Sequence, residues 1–374
     1  MTIVAKAAVL FEQNGAFQIE DVTLDPPRPG EVLVRIVATG MCHTDAAVRS
    51  GEIPLPLPIV LGHEGAGVVE TVGAGVTKVA PGDHVVLTCN SCGQCDSCLS
   101  GHPMICRLGP PLNFSGGRLD GSHALHGGDR TIHDQFFAQS SFATRALAQQ
   151  RNVVKVAKDV PLELLGPLAC GVQTGAGSVL NALKVGAGDD FVVFGAGAVG
   201  LSAVMAARVA GATTIIAVDV LPQRLKLAEE LGATHTLDGR AGDAVEKIVA
   251  ITGGGVRYAL DTTGNVQVIR GAIDALRAGG TCGVLGASPR GTELSIPIVP
   301  FMSLSKRLMG IVEGDAVPDV FIPKLIALWR QGRFPFDRLV KFYDLKDIDR
   351  ALKDSEDGIT VKPVIRMPTS TSTA

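Results

Sequence analysis

Apolar and polar positions alternate with period two through "EVLVRIVATGMC" and "GAGVVETVGAGV", with β-branched residues on the apolar beat and glycines as breaks. That pattern predicts strands. "VAPGDHVVL" reads as a turn feeding another strand. From about residue 190 the rhythm changes. "FVVF" predicts a strand, and a helix follows from about Val199 to Ala210. "TTIIAV", "YALDTT" and "TCGVLGA" continue as strands, separated by helices in "PQRLKLAEELGA" and "VQVIRGAIDALRAGG". Strand–helix alternation argues for an α/β fold with a parallel sheet and crossover helices. From about 313 a helix in "VFIPKLIALWRQG" mixes with short strands, and "PTSTSTA" is expected to fray. Residues 107–135 hold many Gly, Asp and His residues without periodicity, which predicts a long surface loop. There is no internal repeat.

Length and composition narrow the classes. The 374 residues are enough for two domains, and 46% hydrophobic content marks a globular chain with an aliphatic core. A net charge of −3, with no block of like charge, gives no reason to expect nucleic acid or a membrane surface. Phe191 to Val218 carries one charge, Arg208, but Gly195, Gly197, Gly200 and Gly211 break it, so strand, turn, buried helix and strand explain it without lipid. The start, "MTIVAKAAVLFEQNGAF", lacks the marks of a signal peptide. A reducing cytoplasm is then the expected compartment, where clustered cysteines serve metals more often than disulfides.

"GAGAVG", Gly195 to Gly200, fits G-x-G-x-x-G, a weak signal alone. Here it follows an apolar strand and opens a helix, and Asp219 ends the next strand, 19 residues beyond Gly200. That is the context of a dinucleotide site. Gly195 permits the tight turn, Gly197 lets the backbone approach the pyrophosphate, and Gly200 lets helix and strand pack closely. The helix N-terminus supplies N–H groups to the phosphates. The alternative is a glycine-rich turn with no ligand. A carboxylate at Asp219 accepts bonds from the adenosine ribose and repels a 2′-phosphate, which favours NAD over NADP. Arg224 nearby weakens that exclusion.

Cys92, Cys95, Cys98 and Cys106 have the form C-x2-C-x2-C-x7-C. Four thiolates in one short lobe close a tetrahedron around Zn²⁺ and leave no open position, so this is a structural site. Cys89 is spare and reads as an ordinary strand cysteine. Chemistry needs a second site with a vacancy, for which Cys42, His63, Glu64 and Cys170 are candidates. Each alone reads equally well as an ordinary core residue, and spacing cannot join them.

"CHTD", "LGHEGAGVVETVGAGV", the four-cysteine lobe and "GAGAVG" in this order resemble the zinc-dependent medium-chain alcohol dehydrogenases, over essentially the whole chain. "LPIVLGHEGAG", "PLNF", "QSSFAT" and "LELLGPLACGVQTGAG" are most similar to bacterial aryl-alcohol (benzyl alcohol) and geraniol dehydrogenases. The resemblance implies a Rossmann doubly wound parallel sheet inserted into a β-rich, GroES-like catalytic domain. The catalytic parts are then 1–171, with a structural zinc lobe at 89–106, and 313–374. The NAD-binding domain is 172–312, and the catalytic cleft lies between them.

It also implies two zincs per chain. Cys42, His63 and Cys170 would hold the catalytic one, with Glu64 nearby and Asp45 orienting the histidine. Thr44 would take the substrate proton, and His43 would contact the cofactor pyrophosphate. Thr174 and Val199 would pack on the nicotinamide, Lys362 would reach the phosphates, and Arg224 would sit beside the ribose. For Lys362 and Arg224 a solvated surface charge is the alternative. The implied reaction is reversible oxidation of a primary alcohol. Zinc acts as a Lewis acid on the bound alcohol, and hydride passes to NAD. Ala47 stands where some members carry a relay histidine, so His43 or water would finish the proton path.

Thr44, Cys89 and Phe136 are the expected pocket residues, with Phe136 equally readable as a core aromatic. A small residue at Cys89 suits a benzylic or allylic alcohol. A hydroxymethylglutathione dehydrogenase, or a general aliphatic one, is the rival within the family. Ile53 and Pro110 stand where the glutathione branch uses an acid and an arginine, which argues against it. A non-catalytic nucleotide-binding protein on the same fold is the rival from another class, and the filled ligand positions argue against that. The resemblance implies a homodimer, with a tetramer as alternative, pairing through the segments "RYALDTTG", "CGVLGA" and "MGIVEG".

Overall fold

The structure, a computed structural model, describes residues 3–368. The polar tail from residue 369 on lies outside the described residues. The chain divides into two units. The first comprises the chain through Cys170, Val317–Lys324 and the chain from Asp337 on; the second comprises Gly171–Ala316 and Leu325–Phe336. The assignment of Leu325–Phe336 to the second unit has no counterpart in the sequence reading. "VFIPKLIALWRQG" forms one helix, Pro318–Arg330, and its apolar pattern carries no mark of a division.

The first unit is built on two sheets. In one, Glu31–Gly40 lies between Glu64–Val72 and Lys362–Arg366, and Arg145–Gln149 also pairs with it. Eight of its ten residues are buried, which is why its apolar run is nearly continuous. The other sheet orders Ile59–Val60, Ile3–Leu10, Phe17–Leu24, Leu125–Gly127 and Arg130–Thr131. Between them lies an aliphatic core with Phe17, Phe136 and Phe142.

The second unit is a six-stranded parallel sheet. Its order is His235–Asp238, Thr214–Asp219, Asp190–Phe194, Val256–Asp261, Leu276–Val284 and Arg307–Gly310. The chain reverses its direction of travel across the sheet beside Asp190–Phe194, where doubly wound sheets bind ligands. The apolar stretch Phe191 to Val218 is strand, helix (Ala198–Ala210) and strand. No helix of the described residues is long and apolar enough to cross a membrane.

Two sequence expectations need correction. Residues 107–135 are not all surface loop: they contain a helix, Gly109–Phe114, and the hairpin strands Leu125–Gly127 and Arg130–Thr131. Strands of two and three residues are too short to show a period. The prolines after Gly109 fall in the helix's first turn, where no intrahelical N–H is needed. Arg118 ties the segment down, with Nε and one terminal nitrogen on Glu31 at 2.7 and 3.1 Å and the other on Asp25 at 3.2 Å. The helix in "VQVIRGAIDALRAGG" stops at Asp274, and Leu276–Val284 is a strand. Pairing of Leu276 with Val256 overrides the local helix propensity of "ALRA".

Candidate metal centres and nucleotide-binding turn

All eight cysteines are free thiols. Cys92, Cys95, Cys98 and Cys106 converge, their sulfurs within 4.8 Å of one another. Cys92 lies 4.0 Å from Cys98, and Cys95 lies 3.9 Å from Cys106. A tetrahedron with metal–sulfur bonds of about 2.3 Å sets its corners about 3.8 Å apart, so four thiolates here fit zinc without rearrangement. Backbone amides prepare the charge: those of Gln94 and Cys95 hold the Cys92 thiol low, and those of Arg107 and Cys98 bring Cys95 down to about 6. Burial instead pushes Cys106 up to about 11.

A second cluster joins residues far apart in sequence. The ligand atoms of Cys42, His63, Glu64 and Cys170 also lie within 4.8 Å of one another, all inside the first unit. Cys42 precedes the helix His43–Ser50, and Asp45 in its first turn accepts the Cys42 amide at 2.9 Å. The other Asp45 oxygen takes the Gly62 amide at 3.1 Å and lies 3.2 Å from His63 Nδ1. One buried carboxylate therefore fixes both the Cys42 backbone and the His63 ring.

Glycines admit the remaining members. A Cβ on Gly40 would fall 1.9 Å from Glu64 Oε2, and one on Gly166 would fall 2.3 Å from Glu64 O. The turn leading to Cys170 reaches the Glu64 strand only because both are glycine.

Fixed through Nδ1, His63 leaves Nε2 buried without a hydrogen-bond partner among the described residues. The Cys42 and Cys170 sulfurs stand 4.0 Å apart. Contact with Cys170, reinforced by the charge of Lys362, holds the Cys42 thiol well below its usual range. Against the effect of burial, the Asp45 carboxylate raises His63 well above the ordinary imidazole range. Two sulfurs and an imidazole nitrogen, oriented by a carboxylate, form a zinc donor set with three protein ligands.

Thr44 Oγ1 is 3.7 Å from Cys42 Sγ and half-buried, His43 is exposed, and Ala47 is buried. Phe137 stacks on the His63 ring at 4.4 Å, and Phe136 meets it edge-on at 5.3 Å. Phe136 has no exposed surface and backs the histidine. Cys89 is half-buried with its sulfur against Met104. Lys362 is not a solvated charge: it is buried, with Nζ 2.6 Å from Glu64 Oε1 and 3.0 Å from Met41 O, which leaves one of its three donors.

In the second unit the three glycines of "GAGAVG" differ as their motif positions demand. Gly195 has φ 92°, and Gly200 approaches so closely that a Cβ would fall 1.8 Å from Gly195 O. A Cβ on Gly197 would meet nothing within 4 Å, so that face of the turn is open to a ligand. Asp219 ends its strand with Oδ2 on the Ala196 amide at 2.6 Å and Oδ1 on the Leu221 amide at 2.9 Å. Arg224 Nε has no partner among the described residues. A Cβ on Gly175 would fall 2.0 Å from Val199 O, so the helix bearing Thr174 lies directly against Val199. The Thr174 hydroxyl donates to Glu313 at 3.3 Å.

Comparison with known proteins agrees with this layout. Residues 28–158 match the alcohol dehydrogenase GroES-like domain, and residues 198–329 match the zinc-binding dehydrogenase domain. The geraniol dehydrogenase of Castellaniella defragrans is 47% identical over 365 residues, covering 97% of this chain and 98% of that protein. The chain belongs to the zinc-dependent medium-chain alcohol dehydrogenases. Among solved structures, an alcohol dehydrogenase zinc-binding domain protein from Burkholderia ambifaria superposes with a TM-score of 0.97 at 55% identity, covering 99% of this chain and 100% of that one. Benzyl alcohol dehydrogenase from Acinetobacter calcoaceticus superposes with a TM-score of 0.95 at 48% identity, covering 98% and 99%.

Several site residues of the dehydrogenase escape sequence reading: Gln139, Thr88 and Phe137 near the second cluster, and Glu313 beside Thr174. A single glutamine or threonine in an apolar run gives no signal, since its partners lie tens of residues away. Only the run of left-handed non-glycine residues, Gln135, Phe137, Ala138 and Ser140, marks the segment as unusual, and that is visible only in the fold.

Proposed function

We propose that this alcohol dehydrogenase oxidises a primary aromatic or allylic alcohol to the aldehyde, reversibly, with NAD as acceptor. The observation that carries the reading is the buried, partnerless Nε2 of His63 facing two adjacent sulfurs. Cys42, His63 and Cys170 would hold the catalytic zinc, with Glu64 beside it, and the four-cysteine lobe would hold a structural one. When bound, the catalytic zinc supplies Lewis acidity toward an alcohol oxygen, and the nicotinamide supplies the hydride acceptor. The protein's residues do the rest. Asp45 keeps His63 in the tautomer that presents Nε2. Thr44 Oγ1 takes the alcohol proton, and exposed His43 or water carries it onward, since Ala47 offers no relay. Phe136 and Phe137 keep the histidine side dry.

Asp219 at the strand end supports NAD over NADP, and the open face at Gly197 supports close pyrophosphate approach. The substrate class is supported by the geraniol and benzyl alcohol dehydrogenases that match this chain end to end. A half-buried cysteine at position 89, in place of a bulkier wall, agrees with it. We also propose a homodimer formed along the edge strand Arg307–Gly310. Its four residues are all exposed, and Ile298, Val299 and Met302 before it are exposed by 65–69%. Light scattering that returns a monomer would contradict this. Eight free thiols suit a reducing cytoplasm.

The test is NADH formation across benzyl alcohol, cinnamyl alcohol, geraniol, ethanol and hydroxymethylglutathione, each with NAD⁺ and NADP⁺. Preference for the first three with NAD⁺ is expected. Activity on ethanol or the glutathione adduct alone overturns the substrate class while leaving the scaffold intact.

A further inference from the structure

We propose that Gln139 and Thr88 are positioning residues, which hold the His63 and Cys170 backbones at the spacing a bound metal requires. The inference rests on the metal reading above and deepens it.

Gln139 is buried, and its amide is fully used. Oε1 accepts the Gly65 amide at 3.0 Å. The two hydrogens of Nε2 serve three carbonyls, His63 O at 2.9 Å, Leu87 O at 3.1 Å and Thr88 O at 3.3 Å, so that one hydrogen is shared. Only this orientation of the amide works, because Gly65 offers a donor and the other three positions offer carbonyls. One side chain therefore binds the strand on both sides of Glu64 and ties it to the end of the strand His84–Leu87.

Thr88 continues the link. Its hydroxyl donates to Ala169 O at 2.8 Å, one residue before Cys170. Its own backbone is fixed by Asn152, which donates to Thr88 O at 3.0 Å and accepts the Thr88 amide at 2.9 Å. The same Asn152 amide reaches Phe137 O and Ala138 O at 3.2 and 3.3 Å, securing the ring stacked on His63. His63 and Cys170 lie on chain segments 107 residues apart, yet two buried side chains and one shared carbonyl connect their backbones. Beside the close backbone approach of Gly166 to Glu64, this side-chain path gives the Cys170 turn a hydrogen-bonded tie to the His63 backbone. Groups that orient ligands in this way commonly govern metal affinity by about 10–100-fold.

The experiment uses the full-length holoenzyme and three variants: Gln139→Met, Thr88→Val, and Thr88→Ser, which keeps the hydroxyl. Two readouts apply: zinc loss to a chelator, resolved for the two sites, and the visible absorption bands of Co²⁺ placed in the Cys42–His63–Cys170 site. Gln139→Met and Thr88→Val are expected to weaken metal retention there about 10–100-fold and to shift the Co²⁺ bands. The four-cysteine site should keep its parent retention, and Thr88→Ser should behave as parent. Unchanged bands and retention, or equal weakening of both sites, overturn the proposal. Should Gln139→Met fail to fold, the Thr88 pair decides alone. A parent protein holding only the four-cysteine zinc counts against the metal reading itself. A parent with two zincs and unaffected variants counts against this inference only.

Discussion

Lys362 Nζ lies 2.6 Å from Glu64 Oε1, with the two side chains 3% and 0% exposed. The pair stands beside Cys42, and the charge of Lys362 helps to hold the Cys42 thiol low. Burial pushes the Glu64 carboxyl up to about 7, against the opposing charge of Lys362. The ammonium, which burial alone would weaken, is held by Glu64 above the ordinary lysine range.

Breaking such a pair strands a buried charge. Lys362→Met is expected to destabilise the protein by about 3–5 kcal/mol. The double variant Lys362→Met with Glu64→Gln should cost less than the single one, because nothing charged is left behind. Urea unfolding of the metal-free proteins measures both. Equal losses would show that packing, not charge, dominates there.

The Asp45 carboxylate lies 3.2 Å from His63 Nδ1 and orients the ring. Asp45→Ala should lower retention of the metal at the Cys42–His63–Cys170 site about 10–100-fold and leave the four-cysteine site at parent level. Zinc release against a graded chelator reads this directly.

Asp219 both faces the proposed ribose position and pins the Ala196 and Leu221 amides. Asp219→Ser should raise the ratio of kcat/KM with NADP⁺ to that with NAD⁺ at least tenfold. It should also lower stability by about 1 kcal/mol, as one charge-assisted contact is lost. An unchanged cofactor ratio would assign Asp219 to the turn alone.

Asp134 supplies a pH test away from the metals. Burial pushes its carboxyl up to about 7, while the Ala124 and Leu125 amides and the charges of Arg118 and His126 pull it down. A carboxyl that is neutral in the fold and ionised in the unfolded chain stabilises the protein at low pH. That contribution is lost as pH rises from about 4 through about 7. Asp134→Asn keeps an oxygen for both amides and cannot ionise. It should be more stable than the parent at pH 8 by on the order of 1–3 kcal/mol, with the advantage gone only below about pH 4. Thermal unfolding at the two pH values decides it.

The legible parts of this protein are those whose physical reasons are local. Gly195 and Gly200 of "GAGAVG" answer to atoms within a few residues or just past the adjoining strand, and Gly197 to an open face of the same turn. The four-cysteine lobe closes within 15 residues, so spacing alone reveals it. Residues 190–284 repeat one strand–helix unit, but the short strand His235–Asp238 and the helix Ala244–Thr252 carry no mark legible in the sequence, and the helix ending at Asp274 is shorter than its pattern predicts. Cys42, His63 and Cys170 are different. Nothing in their spacing joins them, and only family resemblance put them together. Gln139, Thr88 and Asn152 lie beyond even that, because their meaning is a set of carbonyls contributed by four distant segments. The short hairpin within 107–135 was hidden for another reason: it is set by Arg118 and Asp134, not by its own sequence.

The central claim is that Cys42, His63 and Cys170 hold a metal on which alcohol oxidation depends. The measurement is zinc content and benzyl alcohol turnover with NAD⁺, made on the same preparations of parent and Cys170→Ser. The parent is expected to hold two zincs per chain and to turn over. The variant, with an unchanged circular dichroism spectrum, is expected to hold one zinc and to lose turnover by at least about 10³-fold, an activation cost of about 4 kcal/mol. A variant that keeps both zincs, or that keeps turning over with only one, would contradict the account.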